Sequence, residues 1–152
     1  MLQQINNKTL SFFIITTAYW FFMLSDGALR MLVLLHFHSI GFSPLQLAYL
    51  FILYEFFGMI TNLLAGWIAK KTGLNITLNF GILFQIISLF ALSQINSSWN
   101  SFEILIYVII VQGFAGIAKD LTKMSAKSSV KLLAPNKEDK LFKWVAIMTG
   151  SK

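Results

Sequence analysis

The sequence predicts an all-α membrane protein, a bundle of four transmembrane helices plus the start of a fifth. Composition and the placement of residues both point there. Hydrophobic residues make up 57% of the 152 positions and charged residues only 12%, against about 25% charged in an average soluble domain. The apolar residues fall in four long blocks, and crossing a bilayer takes about 20 apolar residues. Nine of the twelve basic residues are Lys at 70, 71 and from 119 to 143, at the edges of those blocks. That placement reads as membrane topology and not as a nucleic-acid face, in spite of a net charge of +6. Fifteen Phe are more than a soluble core of this length needs, whereas lipid-facing helices use them freely.

The first block covers about 10–37. It is too long for the apolar part of a signal peptide, and no small-residue cleavage site follows it. The turn His38-Ser39-Ile40-Gly41-Phe42 leads to Ser43-Pro44, an N-cap followed by proline at the first helical position. A second block, about 45–69, stops at Lys70-Lys71-Thr72-Gly73. The third, about 76–95, ends in the polar turn Asn96-Ser97-Ser98-Trp99-Asn100-Ser101. The fourth starts near 102, is apolar to Ala118 and continues as a Lys-bearing helix to about 133, where Ala134-Pro135-Asn136 ends it. A last piece, about 139–152, carries Leu141, Trp144, Val145 and Ile147.

Loop charge gives an orientation. Lys8, the Lys70-Lys71 pair and the Lys cluster after the fourth block alternate with two loops that hold no Lys or Arg. The positive-inside rule puts the N-terminus, the second loop and the fourth loop in the cytoplasm, in a multi-pass protein of the inner (plasma) membrane. Residues 139–152 would make about 20 Å of helix, short of a hydrocarbon core of about 30 Å. The chain is therefore expected to be the N-terminal part of a longer permease.

Ionisable residues inside such blocks are costly and mark functional sites by default. Asp26 and Arg30 lie four apart in the first block, on one helix face. They are either a structural ion pair or part of a cavity. In the cavity, Arg30 holds an anion through its planar fork, and Asp26 releases it or carries a proton. Gly27 would let the helix bend or pack closely. Glu55, with Tyr54 beside it and Asn62 two turns on, is either a proton carrier or the partner of a Lys or Arg on a neighbouring helix. Lys119, Lys123, Lys127 and Lys131 recur every four residues, with Asp120 and small residues between them. The outer members suit a cytoplasmic helix end. The stripe can also line the inner mouth of a cavity and attract a multivalent anion, with Lys119 and Lys123 the leading pair. Gly58, Gly66, Gly113 and Gly116 permit close helix approach. His36 and His38 fall at the outer membrane surface.

The absence of Cys excludes disulfides, thiolate metal sites and Cys nucleophiles within the sequence. With two His, no metal site and no cofactor are expected. A membrane-embedded enzyme would need a nucleophile or metal cluster at membrane depth, and no such grouping stands in the blocks. The expectation is a non-enzymatic transporter of a small anion, with a helical membrane scaffold as the alternative.

Gly66-Trp67-Ile68-Ala69-Lys70-Lys71-Thr72-Gly73 resembles the signature loop of the major facilitator superfamily: Gly66, Lys71 and Gly73 fit, while Lys70 takes the place of its Asp. Gln112-Gly113 with Gly116 is similar to that superfamily's helix 4 signature, with Ile109 in place of its Arg. A more specific likeness lies in Asp26-Gly27-Ala28-Leu29-Arg30-Met31-Leu32-Val33-Leu34-Leu35-His36-Phe37-His38, in Tyr54-Glu55-Phe56-Phe57-Gly58 and in Gly73-Leu74-Asn75. It extends to Gly116-Ile117-Ala118-Lys119-Asp120-Leu121-Thr122-Lys123-Met124-Ser125-Ala126-Lys127-Ser128 and to the stretch from Leu141 to Lys152. These segments resemble the ArsJ-type organoarsenical efflux permeases of that superfamily. The resemblance implies a transporter of about twelve helices that exports an arsenylated phosphoglycerate and so confers arsenate resistance. It also implies a functionally linked glyceraldehyde-3-phosphate dehydrogenase that supplies the substrate. Another substrate within the superfamily, a drug or a sugar phosphate, is the alternative.

Overall fold

The computed structural model describes the backbone of residues 2–96, 98–133 and 138–150, and the side chains of 7–96, 98–133 and 142–150. The elements in chain order are α1 (Leu2–Ser39), α2 (Pro44–Leu50), α3 (Ile52–Thr72), α4 (Leu74–Ser93), α5 (Ser101–Leu133) and α6 (Glu138–Thr149), with no strand among the described residues. Four stretches are long and apolar enough to cross a membrane: Asn7–Ser39, Pro44–Thr72, Leu74–Ser93 and Ser101–Leu133. They coincide with the four apolar blocks and give the chain the layout of a multi-pass membrane bundle.

Two apolar clusters, one around Phe37, Leu50 and Val108 and one around Phe12, Tyr19 and Val130, are buried in the bundle, while α3 and α4 turn mostly small and polar side chains inward and large apolar ones outward. α3 buries Tyr54, Gly58, Thr61, Ala65 and Ala69, and α4 buries Thr77, Gly81, Gln85 and Ser88. On the other faces of the same helices, Phe56, Leu63, Trp67, Phe80, Ile86 and Phe90 are exposed. A soluble bundle would invert this arrangement. In lipid the tails are as apolar as Leu, so helices associate where small residues let their backbones come close.

α5 is the central helix. It packs most extensively on α3 and α4, and less so on α1, α2 and α6. Two glycines show how close these crossings are. A Cβ at Gly116 would collide with the Tyr54 carbonyl oxygen and lie 2.8 Å from the Tyr54 carbonyl carbon. A Cβ at Gly81 would collide with Thr122 Oγ1 and lie 3.1 Å from the Ala118 carbonyl oxygen.

The turns follow from local chemistry. α1 closes with Gly41 at φ +94°, donating to His38 O at 3.0 Å, while Phe42 N–H donates to Phe37 O at 3.0 Å. This is a Schellman cap, and the Phe37 and Phe42 rings, 5.1 Å apart, supply its usual apolar contact. α2 opens with a capping box: Gln46 N–H donates to Ser43 Oγ at 3.4 Å, and Ser43 N–H donates to Gln46 Oε1 at 2.8 Å. Gly73 alone joins α3 to α4, at φ +92°, where an L side chain would be strained.

Several boundaries differ from the expected ones. α1 starts at Leu2, because the polar residues before 10 include no helix breaker. The single expected helix over 45–69 is interrupted at Phe51, whose N–H donates to Ala48 O, three residues back, at 3.2 Å. That tightened turn divides α2 from α3 without Gly or Pro. α4 begins at Leu74, two residues early, because the turn needs only Gly73. The expected last helix over 139–152 is seen as Glu138–Thr149 and packs on α1, with Trp144 stacked on Phe12 at 4.3 Å and Trp20 Nε1 donating to Met148 O at 3.1 Å. The stop at Ala134-Pro135-Asn136, Ser97 of the third turn and residues 151–152 lie outside the described residues.

Candidate functional site

Asp26, Tyr54 and Lys119 meet where α1, α3 and α5 converge. At a rise of about 1.5 Å per residue, each lies at least about 15 Å from both ends of its span. Ends and loops therefore contribute nothing to this cluster; it belongs to the depth of the bundle.

Asp26 is fully buried. The Tyr54 phenol, itself buried, donates to its carboxylate and lies 2.9 Å from Oδ1 and 2.8 Å from Oδ2. Arg30, one turn on along α1, brings Nε to 3.6 Å from Asp26 Oδ2. Its guanidinium carbon lies 5.3 Å from the centre of the Tyr54 ring. Lys119 from α5 sits over the same ring with Nζ at 4.3 Å from its centre, and reaches Glu55 Oε2 at 3.6 Å. One tyrosine thus contacts two cations through its ring and a carboxylate through its hydroxyl, within the range of cation–π attraction.

These partners are exposed to different degrees. The Lys119 side chain is 14% exposed, that of Arg30 39% and that of Glu55 66%. Arg30 and Glu55 line an open cleft of about 380 Å³ together with Gly27, Met31, Leu34 and Phe51. Gly27 therefore serves the cleft: nothing lies within 4 Å of a Cβ built there, so the close packing expected of it occurs at Gly116 and Gly58 instead. Chemically the cleft offers one guanidinium with unused donors, one carboxylate and an apolar wall. Among the described residues, no group of three or more His, Cys, Asp or Glu is placed to hold a metal ion.

The sequence-derived candidates divide into two sets. Asp26, Arg30, Glu55 and Lys119 come together. Of the two readings of Glu55, the structure contains the ion pair with a neighbouring helix, and the partner is Lys119. Lys123, half-buried one turn further along α5, acts electrostatically on Asp120 together with Lys119, Glu55 and Asp26. Lys127 is half-buried two turns from Lys119, and Lys131 is exposed. His36 and His38 are exposed near the end of α1, and Asn62 is exposed on α3.

No protein-family profile, curated protein or solved structure matches the chain.

Two residues carry more of the site than their place in the sequence suggested. Tyr54 is its hub, although beside Glu55 it reads as one aromatic among many. Asp120 is buried against α3, its Oδ2 so close over Gly58 that a Cβ there would stand 2.6 Å away. A signal for both existed in the spacing: Tyr54, Gly58, Thr61 and Ala65 repeat at helical intervals, as do Gly113, Gly116 and Asp120. Each set marks a small-residue face, and a polar side chain on such a face points at another helix.

Proposed function

We propose that this chain forms part of the substrate pathway of a secondary active transporter that exports a small organic anion. The observation that carries the reading is the cluster of Asp26, Arg30, Tyr54, Glu55 and Lys119 deep within spans whose outer surface is mostly large apolar side chains. Charge at that depth is retained where it faces a bundle interior or a polar cavity. Arg30, held on one side by Asp26 and open to the cleft on the other, is the anion-binding group, assisted by Lys119 and Lys123, with Lys127 nearer the mouth. Asp26 and Glu55 compensate these cations when no anion is bound and are the carboxylates through which charge is relayed.

The local likeness to the major facilitator superfamily, and within it to the organoarsenical permeases, supports an arsenylated phosphoglycerate as the anion. It supports an N-terminal position for these helices in a larger transporter of the inner membrane, with the Lys-bearing ends cytoplasmic and a glyceraldehyde-3-phosphate dehydrogenase supplying the substrate. A compact, multiply charged anion of this kind matches cations clustered on α1 and α5.

The test expresses the complete gene, together with that dehydrogenase, in an arsenate-sensitive host and measures growth in arsenate. Resistance should appear, and should be lost in Arg30→Ala with the protein still inserted in the membrane. Sensitivity with both genes present removes the arsenical substrate. Full resistance in Arg30→Ala removes the site.

A further inference from the structure

One buried carboxyl lies beside the proposed anion site without pairing with any of its cations. Asp120 is 6% exposed at the crossing of α3 and α5. Among the described residues it takes part in no hydrogen bond and no ion pair, unlike Asp26, which accepts from Tyr54 and pairs with Arg30. Its two basic neighbours along α5 do not neutralise it by contact. Lys119 is occupied by Glu55 and the Tyr54 ring, and Lys123 acts on it from beyond ion-pair distance. The other charged groups around the cluster are Asp26 and Arg30 on α1 and Glu55 on α3; α4 carries no charged residue. The Asp120 carboxyl is thus a proton acceptor at the α3–α5 crossing that no hydrogen bond or ion pair occupies among the described residues.

Counting charge gives this a consequence. With all six groups ionised, Arg30, Lys119 and Lys123 balance Asp26, Glu55 and Asp120, and the cluster is neutral. With a proton on Asp120 it carries one surplus positive charge.

We propose that Asp120 is a proton-binding site linked to anion binding: the proton on Asp120 frees one positive charge for the anion, so proton and anion occupy the cluster together. This rests on the reading of the cluster as an anion site. It makes Asp120, and neither Asp26 nor Glu55, the carboxyl that exchanges a proton with solution. By reciprocity, the anion must hold the proton on Asp120 as strongly as the proton holds the anion.

Infrared difference spectroscopy on the full chain in lipid nanodiscs, labelled with carboxyl-13C aspartate, tests it. The wild type should show a label-shifted carboxylic-acid C=O stretch that is absent in Asp120→Asn and retained in Asp26→Asn. That band should titrate with pH. Saturating sulfate, a divalent anion that does not itself titrate near neutrality, should raise its midpoint by about one pH unit for each tenfold preference of sulfate for the protonated form. Asp120→Asn is nearly isosteric, and its circular dichroism and elution as a single species establish that it folds. The wild-type label shift and titration need no variant at all. No acid band in the wild type, or a band unchanged in Asp120→Asn, overturns the proposal. A midpoint unmoved by sulfate that does bind overturns the linkage. Failure of sulfate to bind, with the Asp120 band present, sinks the anion reading of the cluster and the linkage with it, and leaves the proton site standing.

Discussion

Gly116→Ala and Gly27→Ala are the same chemical change in two helices, and the structure assigns them opposite outcomes. A Cβ at Gly116 runs into the backbone of α3, with the Tyr54 carbonyl carbon at 2.8 Å and its Cα at 3.0 Å. Carbon atoms rest at about 3.5–4.0 Å, and no rotamer change can move backbone, so α3 and α5 must separate by about 1 Å. Overpacking of this kind costs about 1–3 kcal/mol. At Gly27 a Cβ meets nothing within 4 Å, and only the gain of about 1 kcal/mol in helix propensity remains. That gain is common to both sites and cancels in their difference. Gly116→Ala should therefore be less stable than Gly27→Ala by about 1–3 kcal/mol, a factor of about 5 to 150 in the unfolding equilibrium. Reversible unfolding in mixed micelles of increasing SDS, followed by circular dichroism, measures it. Equal stability within about 0.5 kcal/mol would refute the α3–α5 crossing described here.

Two further substitutions probe separate features. Tyr54→Phe removes the donor to a fully buried carboxylate, and a double-mutant cycle with Asp26→Asn should give a coupling of about 1.5–3 kcal/mol; a coupling near zero would show that the phenol does not hold Asp26. Ser43→Ala deletes one arm of the capping box on α2 and should cost about 1 kcal/mol, read as faster hydrogen exchange at the Gln46 amide, with unchanged exchange counting against the cap.

Much of the fold could be read from the sequence because one physical variable dominates it. Apolar run length and the position of Lys set the four spans, and Gly73, Gly41 and Ser43-Pro44 mark the turns by their own backbone and capping chemistry. The interruption at Phe51 left no such mark: a turn that bonds three residues back needs neither Gly nor Pro, and a Phe within an apolar run looks the same in either geometry. The site was legible in its charges, since Asp26, Arg30, Glu55 and Lys119 each stand out against an apolar background. Its connectivity was not. Which carboxylate meets which cation depends on the rotation of three helices about their axes, and that rotation is fixed by contacts such as Gly116 on Tyr54, between positions 62 apart. Tyr54 stands in the sequence only as the neighbour of Glu55 for the same reason, because a phenol becomes a hub only once its neighbours from other helices are known.

The packing and the charge cluster are mechanically one object. Tyr54 is held at both ends: its backbone carbonyl lies against Gly116 of α5, and its hydroxyl bonds Asp26 of α1. Its ring is flanked by Arg30 from α1 and Lys119 from α5. A sliding or tilting of α3 against α5 shifts the Tyr54 ring and Glu55 relative to Lys119, and Gly58 relative to Asp120. Any change in the charge state of the cluster therefore acts on the helix crossing, and any strain at the crossing acts on the charges. On the proposed reading of the chain as part of a transporter, whose site must alternate between two helix arrangements, a residue so placed would link ligand binding to helix movement through a single side chain. Tyr54→Phe separates the two functions, since it leaves the backbone contact with Gly116 in place while releasing Asp26. Its effect on substrate affinity should accordingly exceed its effect on the α3–α5 distance, measured by spin labels on the two helices. A distance change as large as that in Gly116→Ala would show that the hydroxyl itself holds the crossing closed.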